Sequence, residues 1–300
     1  MVVSLIAAGG GLVVGFNVAF DPYGLYHDTR GRRLTVYGDP RVAKYLLNVR
    51  YVPDNFNAIL IGSSMSANWD MTGVEKLRFY NESLDGGNVV EDKAVVEPAL
   101  SKPGITVAAL IVHPYFTHSH DFETVRLEPS LRSSALGSEN LLNAYKDIVR
   151  VRLHRAHQLN DYAGTEQFET VPPQLNPTLR RMMRPGTPFE VDPIALAAYR
   201  DLVAELRAHH VRMIFIVPPV FEDLLRAQQT AFQDYAQLIE ANMASQDLLI
   251  DFTSEEFADF RKNRANFGDG IHLFKNSAAV VVSRINARIN DWIAQGRLPR

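Results

Sequence analysis

Apolar runs of strand length recur at Ala58 to Ile61, Ile105 to Val112, Met213 to Val217 and Leu248 to Phe252, each bounded by turn-forming or polar residues. Uninterrupted apolar runs of this length suit strands buried on both faces, as in a parallel sheet. A weaker run, Arg78 to Leu84, supplies a fifth. Helical spacing of apolar positions follows over Asp70 to Leu77, Val89 to Leu100, Pro193 to His209, Phe221 to Met243 and Asn276 to Ala294. Strands alternating with helices predict an α/β domain on a doubly wound sheet of about five parallel strands.

The pattern fails at two places. From Thr117 to Asp192 there is no strong strand; Leu141 to His157 reads as helical, and then Pro172, Pro173, Pro177, Pro185, Pro188 and Pro193 interrupt regular structure. A long irregular segment inside a compact domain is usually a lid or binding loop, so 117–192 is expected to be an insertion over the active-site face. At the other end, Val2 to Phe20 contains no Asp, Glu, Lys or Arg. At about 1.5 Å per residue a helix of that length nearly spans a hydrocarbon core of about 30 Å. A transmembrane anchor over 1–20 is expected, with a cleaved signal segment or a buried helix as rivals. Residues 21–54 then read as a juxtamembrane linker and 55–300 as the catalytic domain. Arg30, Arg32, Arg33, Arg41 and Lys44 follow the apolar run, which by the positive-inside rule favours a cytoplasmic domain.

Composition narrows the function classes. With 46% hydrophobic and 22% charged residues and a formal net charge of −3, the chain is globular and carries no bulk basicity for nucleic acid. It has no cysteine, which removes disulfides, thiolate nucleophiles and cysteine metal sites together.

The candidate chemistry sits at strand ends. The first run empties into Gly62-Ser63-Ser64, and Asp269-Gly270-Ile271-His272 stands near the C-terminus in a glycine-flanked loop. A serine hydroxyl is a weak nucleophile until an imidazole takes its proton, and the imidazole needs a carboxylate to set its tautomer. Ser64 is therefore the candidate nucleophile, His272 the base and Asp269 its orienter; Ser63 is the fallback, and both serines could instead cap a helix. The turn Asp85-Gly86-Gly87 places Gly86 as a candidate oxyanion donor alongside the Ser64 amide. His113, His118, His120 and Asp121 have ligand-like chemistry without a recognisable metal spacing, so no metal and no cofactor is expected. His113 and Tyr115 are candidate substrate contacts, as are Arg180, Arg181 and Arg184, whose guanidiniums suit an anionic group.

These motifs resemble the SGNH or GDSL hydrolase superfamily, serine esterases and acyltransferases on a flavodoxin-like sheet, over roughly residues 55 to 295 with a gap at the insertion. The resemblance gives Ser64 the role of nucleophile in the first block, Gly86 a place in the second after Asn81, and Asp269 and His272 the last block. Ser63 stands where the family most often has Asp. That variant is similar to a membrane-anchored branch that includes the D-alanyl transfer protein of teichoic acid and the alginate O-acetylation proteins. The third block departs: the family ends that strand in Gly-x-Asn-Asp, whereas this chain has His113-Pro114-Tyr115-Phe116.

The resemblance implies O-acetyl transfer to, or removal from, a cell-surface or exported polysaccharide. It also implies an extracytoplasmic or periplasmic domain, a carbohydrate or small acyl-ester substrate, and a multispanning acyltransferase as partner. The alternative is a non-catalytic carbohydrate-binding or assembly component of a polysaccharide export complex.

Overall fold

Each of the five apolar runs forms a strand: β1 (Ala58–Ile61), β2 (Phe79–Asn81), β3 (Val107–Ile111), β4 (Arg212–Val217) and β5 (Leu248–Asp251). In the computed structural model, which describes residues 2–121, 127–155, 160–166 and 191–299, they make one sheet in the order β2-β1-β3-β4-β5. All neighbouring strands are parallel. This is the doubly wound order whose direction reverses between β1 and β3, the place where open α/β sheets gather ligands beyond the strand C-termini.

Alternate strand residues feed two cores, because successive side chains leave opposite faces. Ile59, Ile61, Ala108, Leu110, Met213 and Phe215 join one cluster; Ala58, Leu60, Val107, Ala109, Ile111, Ile214 and Ile216 join the other. Helices cover both faces. They are, in chain order, α1 (Val2–Phe20), α2 (Pro40–Asn48), α3 (Tyr51–Asn55), α4 (Ser64–Ala67), α5 (Val89–Leu100), α6 (Leu131–Ser134), α7 (Glu139–Arg152), α8 (Pro193–Ala208), α9 (Glu222–Ala227), α10 (Gln229–Glu240), α11 (Ala258–Lys262) and α12 (Lys275–Ala294). The second core is closed by α12 through Ala278, Val281, Val282, Ile285 and Ile289.

Three expectations are corrected. Asp70 to Leu77 holds only a 3₁₀ turn at Met71–Gly73, because the Asp70 carboxylate takes the Thr72 amide in a local cap and Met71, Val74 and Leu77 reach the core from irregular backbone. The helix expected over Phe221 to Met243 breaks at Gln228, whose φ of −120° and ψ of 24° are not helical.

The third correction is the linker: residues 21–54 are part of the folded domain. Tyr23, Tyr45, Leu46, Leu47, Tyr51 and Val52 lie in the first core. Asp39 caps the Arg41 and Val42 amides and Pro40 opens α2, an N-terminal signature that the charged residues inside the helix obscured.

The described part of the insertion packs beside the sheet. Gly38 and Asp39 donate their amides to Asp147 and Asn140 of α7, and the Asn81 amide of β2 donates to Ala163 O at 2.7 Å. Residues 160–166 therefore cover the outer edge of β2, satisfying a donor that an open edge would leave bare.

The α1 segment is helical, and its last turns dock on α7 and the turn before it: Asn17 Nδ2 donates to Leu136 O, the Tyr145 hydroxyl donates to Asn17 Oδ1, and Phe16 and Phe20 meet the Tyr145 ring. Among the described residues no helix is long and apolar enough to cross a membrane, so the transmembrane helix expected over 1–20 is not found.

A buried charged cluster joins α2 to the end of β2. Lys44, Glu82 and Asp92 are fully buried. Burial pushes the Glu82 carboxyl up to about 8 against the opposing pull of Lys44, and raises Asp92 well above the carboxylate range. Folded Glu82 thus holds a proton that the unfolded chain loses near 4.5. Its stabilising contribution is fully present below that value and is lost as pH rises toward about 8. Urea unfolding at about pH 5 and about pH 9 is expected to show stability falling by a few kcal/mol, roughly, with Glu82→Gln shrinking the difference. Asp92, raised in the same direction, keeps the difference from vanishing.

Candidate active site

Strand β1 ends at Ile61, and Gly62 turns the chain where no side chain fits: a Cβ there would lie 2.6 Å from Ser66 Oγ and 2.8 Å from Ile111 Cβ. Ser63 is extended (φ −101°, ψ −167°) and makes no side-chain cap. Ser64 opens α4 with its hydroxyl half-buried. The turn is held from behind. Ser66 Oγ donates to Ser63 O and is 2.7 Å from Ser83 Oγ, and the Asn81 side-chain amide donates to the carbonyls of Ser66, Ala67 and Trp69. Asn81 thus acts as a brace for the Ser64 turn.

The loop after β5 delivers the imidazole. Asp269 Oδ1 accepts the amides of Ile271 and His272 at 3.0 and 2.9 Å, and its Oδ2 lies 2.6 Å from His272 Nδ1. His272 Nε2 lies 2.8 Å from Ser64 Oγ. The structure therefore joins Asp269, His272 and Ser64, 208 residues apart in sequence at the last step, in one continuous line of hydrogen bonds. Neighbouring contacts lock the loop: Gly268 N donates to His272 O, Phe221 N to Gly270 O, and Asn68 Nδ2 to Leu273 O. Burial tends to raise the Asp269 carboxyl, but the hydrogen bond and charge of His272 and the two amides outweigh it and hold the carboxyl below its usual value. Asp269 is thus an ionised acceptor that leaves Nδ1 as donor and Nε2 as acceptor facing the serine.

The Ser64 and Gly86 amides belong to segments joined by the Ser63–Leu84 bridge. Among the described residues, neither the Ser64 nor the Gly86 N–H has an intramolecular acceptor. Gly86 is the third residue of a turn closed by Gly87 N donating to Leu84 O, and its φ of 63° is a conformation that favours glycine. The strand-like stretch before it runs along β1: Glu82 N donates to Leu60 O, and Leu84 N to Gly62 O.

Just past the end of β3 stands buried His113, its ring centroid 5.5 Å from that of Phe232 in an edge-on arrangement. Burial, then repulsion from His272 and His118, pushes its pKa to about 3, so it is neutral. His120 instead pairs with Asp192 at 2.7 Å on the surface. Among the described residues no group of three His, Cys, Asp or Glu is arranged to hold a metal. Arg180, Arg181 and Arg184 lie outside the described residues, as does the side chain of Tyr115. Sequence reasoning missed the supports: Ser66, Ser83, Asn68 and the α2 cations, whose only signal was the Asp39-Pro40 cap.

No protein-family model and no curated protein matches the chain. Solved structures similar to it include a candidate platelet activating factor from Streptococcus pneumonia, at 11% identity over 83% of this chain and 90% of that one, with a TM-score of 0.46. A GDSL-like lipase from Bacteroides thetaiotaomicron aligns at 9% identity over 80% and 88%, TM-score 0.40. The psychrotrophic esterase EstA from Pseudoalteromonas sp., in a form inhibited by monoethylphosphonate, aligns at 12% over 79% and 99%, TM-score 0.40.

Proposed function

We propose that this chain is a serine acyl-transfer enzyme of the SGNH or GDSL type. The observation that carries the reading is the line Asp269–His272–Ser64, with 2.6 Å and 2.8 Å between successive polar atoms. His272 Nε2 takes the hydroxyl proton as Ser64 Oγ attacks an ester carbonyl, and the developing oxyanion accepts from the Ser64 and Gly86 amides. Collapse expels the alcohol, protonated by His272, and leaves an acyl-serine. An incoming hydroxyl, from water or a sugar, then gives its proton to His272 and takes the acyl group, and His272 returns that proton to the departing Ser64 Oγ. Asp269 holds the imidazole and stabilises its charge throughout.

The finer assignment rests on the resemblance in the Gly62-Ser63-Ser64 block: acetyl as the acyl group, a cell-surface or exported polysaccharide as its carrier, and a multispanning acyltransferase as partner. An extracytoplasmic location of the domain belongs to the same reading.

One observation favours the alternative of a non-catalytic assembly component: His113 replaces the third-block asparagine. A fluorophosphonate probe separates the two. The enzyme reading expects covalent labelling that maps to Ser64 and disappears in Ser64→Ala, whereas folded wild-type protein that takes no label supports the assembly role.

A further inference from the structure

Helix α2 grips the segment that carries the Gly86 amide. Lys44 Nζ donates to Asn81 O at 2.9 Å and to Ser83 O at 2.7 Å, and Arg41 Nη2 donates to Asp85 O at 2.8 Å. Arg41 and Lys44 are one helical turn apart, so both reach the same side. Residues 81, 83 and 85 present their carbonyls to α2, while Glu82 and Leu84 send their amides the other way, to Leu60 and Gly62 of the β1 side. The next amide in that alternating series is that of Gly86, and the next even-numbered residue on the β1 side is Ser64.

The Asp85–Gly86 peptide is the central peptide of the Leu84–Gly87 turn. No peptide bond in the described chain is cis, so this planar unit carries the Asp85 carbonyl and the Gly86 N–H on opposite edges. Whatever holds the carbonyl also sets the direction of the N–H. Arg41 is the residue that holds it. Its guanidinium is buried and is itself fixed by Glu91, at 2.8 Å from Nε to Oε1 and 3.4 Å from Nη2 to Oε2. Glu91 lies in the first turn of α5, directly after the same turn. A cation on the carbonyl also polarises the peptide and strengthens its N–H as a donor.

We infer that Arg41, fixed by Glu91, is a positioning residue for the oxyanion: it holds the Asp85 carbonyl so that the Gly86 N–H is aimed at the Ser64 side. This rests on the reading of Ser64 as a nucleophile. It also gives α2, from a stretch that reads as a linker, a part in the chemistry.

The test uses the full chain carrying Arg41→Met with Glu91→Met, and separately Arg41→Lys. Replacing both members of a buried ion pair by apolar residues usually preserves folding, whereas removing one strands the other. The double variant is expected to lose roughly 10- to 100-fold in kcat on p-nitrophenyl acetate with KM little changed, less than the roughly 10²- to 10³-fold loss when an oxyanion donor is deleted outright. Lysine keeps a charged donor without the planar fork, so Arg41→Lys should fall between. The Gly86 amide resonance is expected to move in both variants.

Wild-type kcat in the folded double variant overturns the inference. So does a loss of kcat with the Gly86 resonance unmoved, which would mark a general structural effect. If the double variant does not fold, Arg41→Lys decides by the same two readings. A wild type that neither turns over substrate nor takes a fluorophosphonate label defeats the serine reading itself, whereas an active wild type with an unaffected Arg41 variant defeats only this one.

Discussion

Ser64→Ala, His272→Ala and the double variant are each expected to lower kcat for an activated ester by a similar factor, on the order of 10⁶. The equality is the informative part. If His272 acts only by taking the Ser64 proton across their 2.8 Å contact, then removing either partner removes the whole relay, and removing the second costs little more. Residual turnover in all three should come from the Ser64 and Gly86 amides and from substrate binding. Folding is expected to change little, because Ser64 is half-buried and its turn is held by Asn81, Ser66 and Ser83. Steady-state kinetics on the three purified variants check this. Losses that multiply in the double variant would mean that serine and histidine act independently.

The second large effect is Asp269→Asn, expected to reduce kcat by about 10⁴ with the loop intact. Its cause lies in the amides on Asp269 Oδ1. Ile271 and His272 donate to that oxygen, so an asparagine would keep its carbonyl oxygen there and turn its NH₂ toward His272 Nδ1. That nitrogen must then accept, which places the imidazole proton on Nε2, facing Ser64, where it blocks the base. Rate loss without loss of thermal stability, together with slowed fluorophosphonate labelling, is the expected result. Asp269→Ala, which leaves the two amides without their acceptor, should in addition loosen the loop.

The legible parts of this chain were those set by local order. All five apolar runs became strands, and Val89 to Leu100 became a helix with the expected ends, because burial on both faces leaves a continuous apolar signal. The candidate residues Ser64, Asp269 and His272 stood out for a similar reason: a strand ending in Gly62-Ser63-Ser64 and a carboxylate three residues before an imidazole are patterns within a few residues.

Other parts were hidden by the same local view. Arg41 and Lys44 lower the apparent hydropathy of α2, yet both are buried; their cost is met by carbonyls and carboxylates of residues 81–92, which no window around α2 contains. Asp70 to Leu77 had helical spacing, but one side-chain cap at Thr72 and the pull of the core on three apolar residues override it.

Sequence by itself thus determined which segments are strands, and hence a parallel sheet with its strand ends gathered at one edge, since hydrophobic period depends only on near neighbours. Only the tertiary structure decided that His272 Nε2 meets Ser64 Oγ, that His113 is buried and neutral, and that α2 holds the Gly86 turn. Those contacts join residues far apart in the chain, and their distances follow from how helices and strands pack rather than from any local pattern.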